Sequence, residues 1–132
     1  MKRASTRSIS IDVPPQVVLD LVADPTELPR WAPAFARAVR PAGGDHWVVD
    51  TGEREVRIRV RVSRELGTVD FLAAGTPRGA YGRVVPNGEG SEFLFTVFLP
   101  EDAGAAARDR QGAVLDSELA TVRALCEAAA AQ

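Results

Sequence analysis

Tyr81 and Arg83 stand two residues apart in the stretch from Ala80 to Val85, which reads as a β-strand and so puts both on one face. A phenol and a guanidinium side by side can hold a carbonyl, carboxylate or enolate oxygen by charge-assisted hydrogen bonds. As catalysts, Arg83 would stabilise a developing enolate and Tyr81 would move a proton. Strand parity decides whether they do either. With their face inward they meet a ligand; with Ala80, Gly82 and Val84 inward both are surface groups, and a one-residue slip exchanges the two arrangements. The small residues Ala80 and Gly82 also fit a strand bent around a ligand or helix.

Other chemistries find less support. His46 is the only histidine; with one distant cysteine it cannot supply the three or four ligands of a zinc site, and the parity that turns Trp47 inward turns His46 outward. No serine lies in a strained-turn motif, and Gly75, Gly79 and Gly82 lack the strand-turn-helix context of a phosphate loop. No metal and no cofactor are expected. Arg57, Arg59 and Arg61 look like a nucleic-acid stripe, but Glu53, Glu55, Glu65 and Asp70 lie close by, as on a solvated sheet face with cross-strand ion pairs. The net charge of −2 adds no field for nucleic acid or an anionic membrane. The single cysteine, Cys126, sits on an apolar helix side as a small hydrophobe.

The 132 residues suit one domain, taken as 1–132. No run approaches the roughly 20 apolar residues of a membrane span, and the basic start leads into no apolar run, so an intracellular, cytoplasmic protein is expected. Ala4 to Asp12 alternates as a strand. Pro14 and Pro15 open a short helix, and Asp24-Pro25-Thr26-Glu27 restarts a second one that leads through Trp31. Six strands should follow: Phe35 to Arg40, His46 to Thr51, Val56 to Val62, Thr68 to Ala73, Ala80 to Val85 with a turn at Asn87-Gly88, and Ser91 to Leu99. A loop joins the fourth and fifth of these at Gly75, Thr76, Pro77 and Gly79. A long helix from Ala103 to Ala131, capped by Asp102, closes the chain, with Val114, Leu115, Leu119, Val122, Leu125 and Cys126 at helical spacing. Gly112 interrupts that helix at a cost of about 1 kcal/mol, which would let the turn move as an entrance. The fold class is α+β: a curved antiparallel sheet of six to seven strands against a long C-terminal helix.

The stretch Ile11-Asp12-Val13-Pro14-Pro15 through Asp24-Pro25, continued by Leu28-Pro29-Arg30-Trp31-Ala32-Pro33, resembles the opening of the START-like, polyketide cyclase/dehydrase superfamily. Leu115 to Glu127, with Arg123 ahead of Leu125, is similar to that family's closing helix. Both motifs are architectural. The resemblance implies a helix-grip fold and a protein that holds an apolar or partly aromatic small molecule, of lipid, polyketide or isoprenoid class, between sheet and helix. A polyketide aromatase/cyclase or dehydratase using Tyr81 and Arg83 is the enzymatic alternative, and an interaction module without a ligand is another.

The residues that would line such a cavity are Trp31, Phe35, Trp47, Val49, Val60, Phe71, Tyr81, Arg83, Phe93, Phe95 and Val97, facing Leu115, Leu119 and Val122. The same side chains, Val62 included, could equally fill a solid core. Leu94 and Phe98, on the other face of the last strand, suggest a contact patch such as a homodimer would use.

Overall fold

The computed structural model describes residues 1–75 and 79–131. Alternation in the first ten residues yields β1 (Arg3–Ile11), and the Pro14-Pro15 pair starts α1 (Pro15–Val22), which buries Val18, Leu19 and Val22. Asp24 then ends one helix and begins the next turn. Its Oδ1 accepts from the Thr26 backbone N–H at 3.0 Å, capping a 3₁₀ turn over Pro25–Glu27 that runs into α2 (Leu28–Trp31). Glu27 does not complete a capping box; it pairs with Arg30 at 2.7 Å instead.

The remaining strands are β2 (Ala38–Pro41), β3 (His46–Asp50), β4 (Glu55–Ser63), β5 (Thr68–Ala73), β6 (Gly79–Asn87) and β7 (Gly90–Leu99), and the chain closes with α3 (Ala105–Ala130). All seven strands form one antiparallel sheet in the order β1-β7-β6-β5-β4-β3-β2. From β2 to β7 each strand pairs with the next in the chain, while β1 returns to pair with β7. The α+β helix-grip arrangement expected from the element order is therefore present. Several boundaries differ. Phe35 lies in a turn before β2, not in the strand. Pro41 ends β2 from inside it, tolerable because β2 is an edge strand. The β6–β7 hairpin turns on Gly88-Glu89, with Asn87 paired to Gly90 and Gly88 at φ 58°. Of the expected loop before β6, Thr76 and Pro77 lie outside the described residues.

The 26 residues of α3 span about 39 Å at 1.5 Å each. Asp102 does not cap it; Gly104 holds that position without a side-chain bond. The helix crosses β1 and β7 and is flanked by α1 and α2. It buries Gly112, Leu115, Glu118, Leu119, Val122 and Cys126 against them. Gly112 has a packing reason to be glycine. The Arg7 guanidinium, on the helix-facing side of β1, lies where a Cβ would stand.

Register fixes the faces. Ile9 and Val84 flank Phe93, Gly82 lies opposite both Val69 and Phe95, Ala80 opposite Phe71, and Trp47 opposite Ile58. This is the helix side, and its buried members form one core with α1, α2 and α3. Val62 shares that parity yet is 40% exposed, a strand end the core does not cover. The opposite side is a solvated ion-pair face. Arg59 Nε meets Asp45 Oδ2 at 2.7 Å and Arg61 Nη2 meets Asp70 Oδ2 at 2.9 Å. His46, opposite Arg59, lies on this face too. The Arg59 hydrogen bond holds the Asp45 carboxyl below its ordinary value.

Candidate functional site

Trp31, carried to the core by α2, is the anchor of the interior. Its indole stands edge-on to Phe95 at 5.8 Å and to Phe93 at 6.4 Å, and tilts against Phe71 at 6.1 Å. Phe93 and Phe95 stack at 5.8 Å, and Phe71 meets Phe95 edge-on at 6.2 Å. Tilted and edge-to-face rings add to the stabilisation that burial alone supplies. The indole N–H, shut in with these rings, has no oxygen or nitrogen partner among the described residues.

On one side of this cluster the packing is solid. On the other lies a cavity of ≈ 580 Å³, bounded by α2 and the turn after it, by β4 to β7 and by the first half of α3. Trp31, Phe71 and Phe95 make its inner wall, and Phe35, 37% exposed, stands at its border. Where β6 passes the cavity it contributes only the small residues Gly79 and Ala80, of which Ala80 shares the inner face with Phe71. At Gly82 an added Cβ would sit 3.2 Å from the Val69 carbonyl oxygen, so that position admits little else.

From α3 the cavity receives Gln111, Val114 and Glu118. Glu118 is the one carboxyl among the described residues of a largely apolar wall, where Gln111 and Arg57 are the other polar members. It is 8% exposed and makes no hydrogen bond or ion pair among the described residues. Burial alone pushes its carboxyl from 4.5 up to about 7. A group with those properties can be neutral and donate a hydrogen bond near neutral pH, or lose its proton there.

Of the residues expected to line a site, Trp31, Phe35, Phe71, Phe95 and Val97 do border the cavity. Val49, Val60, Phe93, Leu115, Leu119 and Val122 are buried in the solid core instead, and Trp47 packs half-buried against it. They face the interior as expected but pack into the solid part of the core beside the cavity. Tyr81 and Arg83 are corrected more sharply. Ala80, Gly82 and Val84 take the inner face, so Tyr81 stands outside opposite Asp70 and Thr96, its ring edge-on to Phe98 at 6.1 Å. Arg83 is exposed opposite Thr68 and Leu94. Neither reaches the cavity, because glycine and alanine are what the inner surface can admit beside Phe71 and Phe95.

The sequence reading missed Leu28, Ala32, Val56, Ile58, Ala73 and Val114, which share the cavity wall, and above all Glu118. A signal for Glu118 was present: a carboxylate between Leu115 and Leu119 interrupts an apolar stripe. Among the described residues no cluster could hold a metal, and no helix is long and apolar enough to cross a membrane.

Comparison with known proteins agrees with this architecture. A START superfamily protein from Mycobacterium smegmatis superposes with a TM-score of 0.75 at 12% identity, covering 94% of this chain and 97% of that one. The protein XoxI from Bacillus cereus gives 0.72 at 16% identity, covering 92% and 94%. A Thermus thermophilus protein, TTHA0849, gives 0.63 at 18%, covering 96% and 99%. At these identities the likeness is one of fold. No curated relative matches the chain. The family model for polyketide cyclase/dehydrase and lipid transport proteins matches residues 2–127, and with nearly the whole chain inside that match, this protein belongs to that START-like family.

Proposed function

We propose that the protein binds an apolar small molecule, of lipid, polyketide or isoprenoid class, in the cavity between the sheet and the first half of α3. The observation that carries this reading is the cavity itself: ≈ 580 Å³ walled by Leu28, Trp31, Ile58, Phe71, Phe95 and Val97. Such a wall rewards desolvation of an apolar ligand, at about 25 cal/mol for each Å² removed from water. The family's description, which joins polyketide chemistry with lipid transport, supports the same class. An enzyme built on Tyr81 and Arg83 loses its geometric support, since both face away from the cavity. Self-association through Phe98, 44% exposed, is a separate proposal for sedimentation to test.

Native mass spectrometry of protein purified without detergent, followed by denaturing extraction, tests the binding reading. A reproducible bound mass that disappears in a folded Phe95→Asp variant is expected. An apo mass that no apolar compound shifts would overturn it.

A further inference from the structure

Glu118 is the one carboxyl among the described cavity-lining residues. It presents a buried acid, without a hydrogen-bond or ion-pair partner among the described residues, to a largely apolar space whose other polar lining groups are Gln111 and the exposed Arg57. The charged groups around it are accounted for. Arg57 of β4 is the single cation among the described lining residues, and it is exposed. Arg7 of β1 is committed to Asp116 at 3.0 Å, Arg30 of α2 to Glu27 at 2.7 Å, and Asp20 of α1 to Arg64 at 2.9 Å. Burial is accordingly the cause acting on the Glu118 carboxyl, and among the described residues no cation compensates its charge.

Resting on the binding reading above, we infer that the cavity selects a neutral ligand, an apolar molecule with one hydrogen-bond-accepting oxygen such as a ketone, which meets the protonated Glu118, and rejects carboxylate analogues. A protonated carboxyl donates one O–H bond, and in a desolvated wall an unmet donor is costly, so a ligand oxygen there satisfies it. A ligand carboxylate would instead place a second acid against the first with no cation between them. Raising the pH through about 7 ionises Glu118, removes the donor and weakens the ketone's hold.

The test is displacement of Nile red, a neutral apolar dye, by four straight-chain compounds of equal length: a methyl ketone, an alkane, a fatty-acid anion and an alkylamine. At pH 6, where Glu118 keeps its proton and the fatty acid is largely its anion, the ketone should displace dye about tenfold more effectively than the carboxylate, a gap of the size one lost hydrogen bond produces. Its affinity should fall between pH 6 and pH 8. Glu118→Gln, which keeps an N–H donor without a charge, should retain ketone binding, lose the pH dependence and narrow the gap. Glu118→Leu should still take up dye but bind ketone and alkane alike. Equal displacement by ketone and carboxylate, preference for the amine, or an unchanged gap in Glu118→Gln would each overturn the inference while leaving the cavity standing. Failure of dye and all four compounds to bind would overturn the cavity reading and the inference with it.

Discussion

Arg7 and Gly112 are matched across the β1–α3 contact: the guanidinium crosses the helix over the glycine and reaches Asp116, Nε to Oδ1 at 3.0 Å. The glycine spares room for the crossing, which is a structural reason for a residue that weakens a helix interior. Gly112→Ala alone should change stability little. The propensity gain of about 1 kcal/mol is offset by displacing Arg7. In an Arg7→Ala background the same substitution should deliver the full gain in urea denaturation. Equal gains in both backgrounds would show the two residues uncoupled.

Glu118 makes stability depend on pH in a defined direction. Its carboxyl rises from 4.5 to about 7 on folding, so between those values the folded chain holds a proton that the unfolded chain has released. Stability from this group is full below pH 4.5, declines as pH rises, and is lost above about 7. The difference is on the order of 3 kcal/mol as an upper limit, at 1.36 kcal/mol per unit. Glu118→Gln should flatten the denaturation midpoint between pH 5 and pH 8 relative to the parent. A parallel pair of profiles would count against the burial assigned to this carboxyl.

Arg83→Ala and Tyr81→Phe should leave affinity for any cavity ligand within about twofold, since both alter the outer face, where single substitutions usually act weakly. Phe71→Ala, in the cavity wall and the ring cluster, should cost about 3 kcal/mol or more and shift ligand affinity. A large affinity loss in folded Arg83→Ala would mean that the ligand lies elsewhere.

Cys126 is buried against the core, and burial together with the Glu127 charge pushes its thiol from 9.0 up to about 11. Two units of suppressed ionisation are about a hundredfold in thiolate. Alkylation at pH 7.5 should therefore be at least that much slower in native than in urea-unfolded protein. Comparable rates would reveal an accessible, reactive thiol.

Periodicity made the elements legible. Ile9 and Ile11 in β1, Ile58 and Val60 in β4, and Leu115, Leu119 and Val122 in α3 all face the core as their spacing requires. The solvated arginine face was legible as well, because Arg59 and Arg61 had acids within reach. What spacing could not supply was the position of the empty space. Val114 and Glu118 stand one residue ahead of Leu115 and Leu119, so a rotation of about 100° on the same two turns of helix separates solid core from cavity. Tyr81 and Arg83 failed for a related reason. On β6 both faces carry small or amphipathic residues, so parity had no apolar alternation to anchor it.

The pairing of β1 with β7 also sets the order in which the molecule can come into being. Arg3 lies opposite Leu99 and Ile11 opposite Ser91, contacts that join the two ends of the sheet's sequence. During synthesis the first strand must wait for β7 to emerge, and α3, which roofs the cavity, comes later still. Loop closure over that distance makes folding slow relative to helical domains of equal size. The nascent chain thus carries Trp31 and its aromatic neighbours uncovered until α3 emerges, a window in which a chaperone or an apolar ligand meets them before the roof is laid.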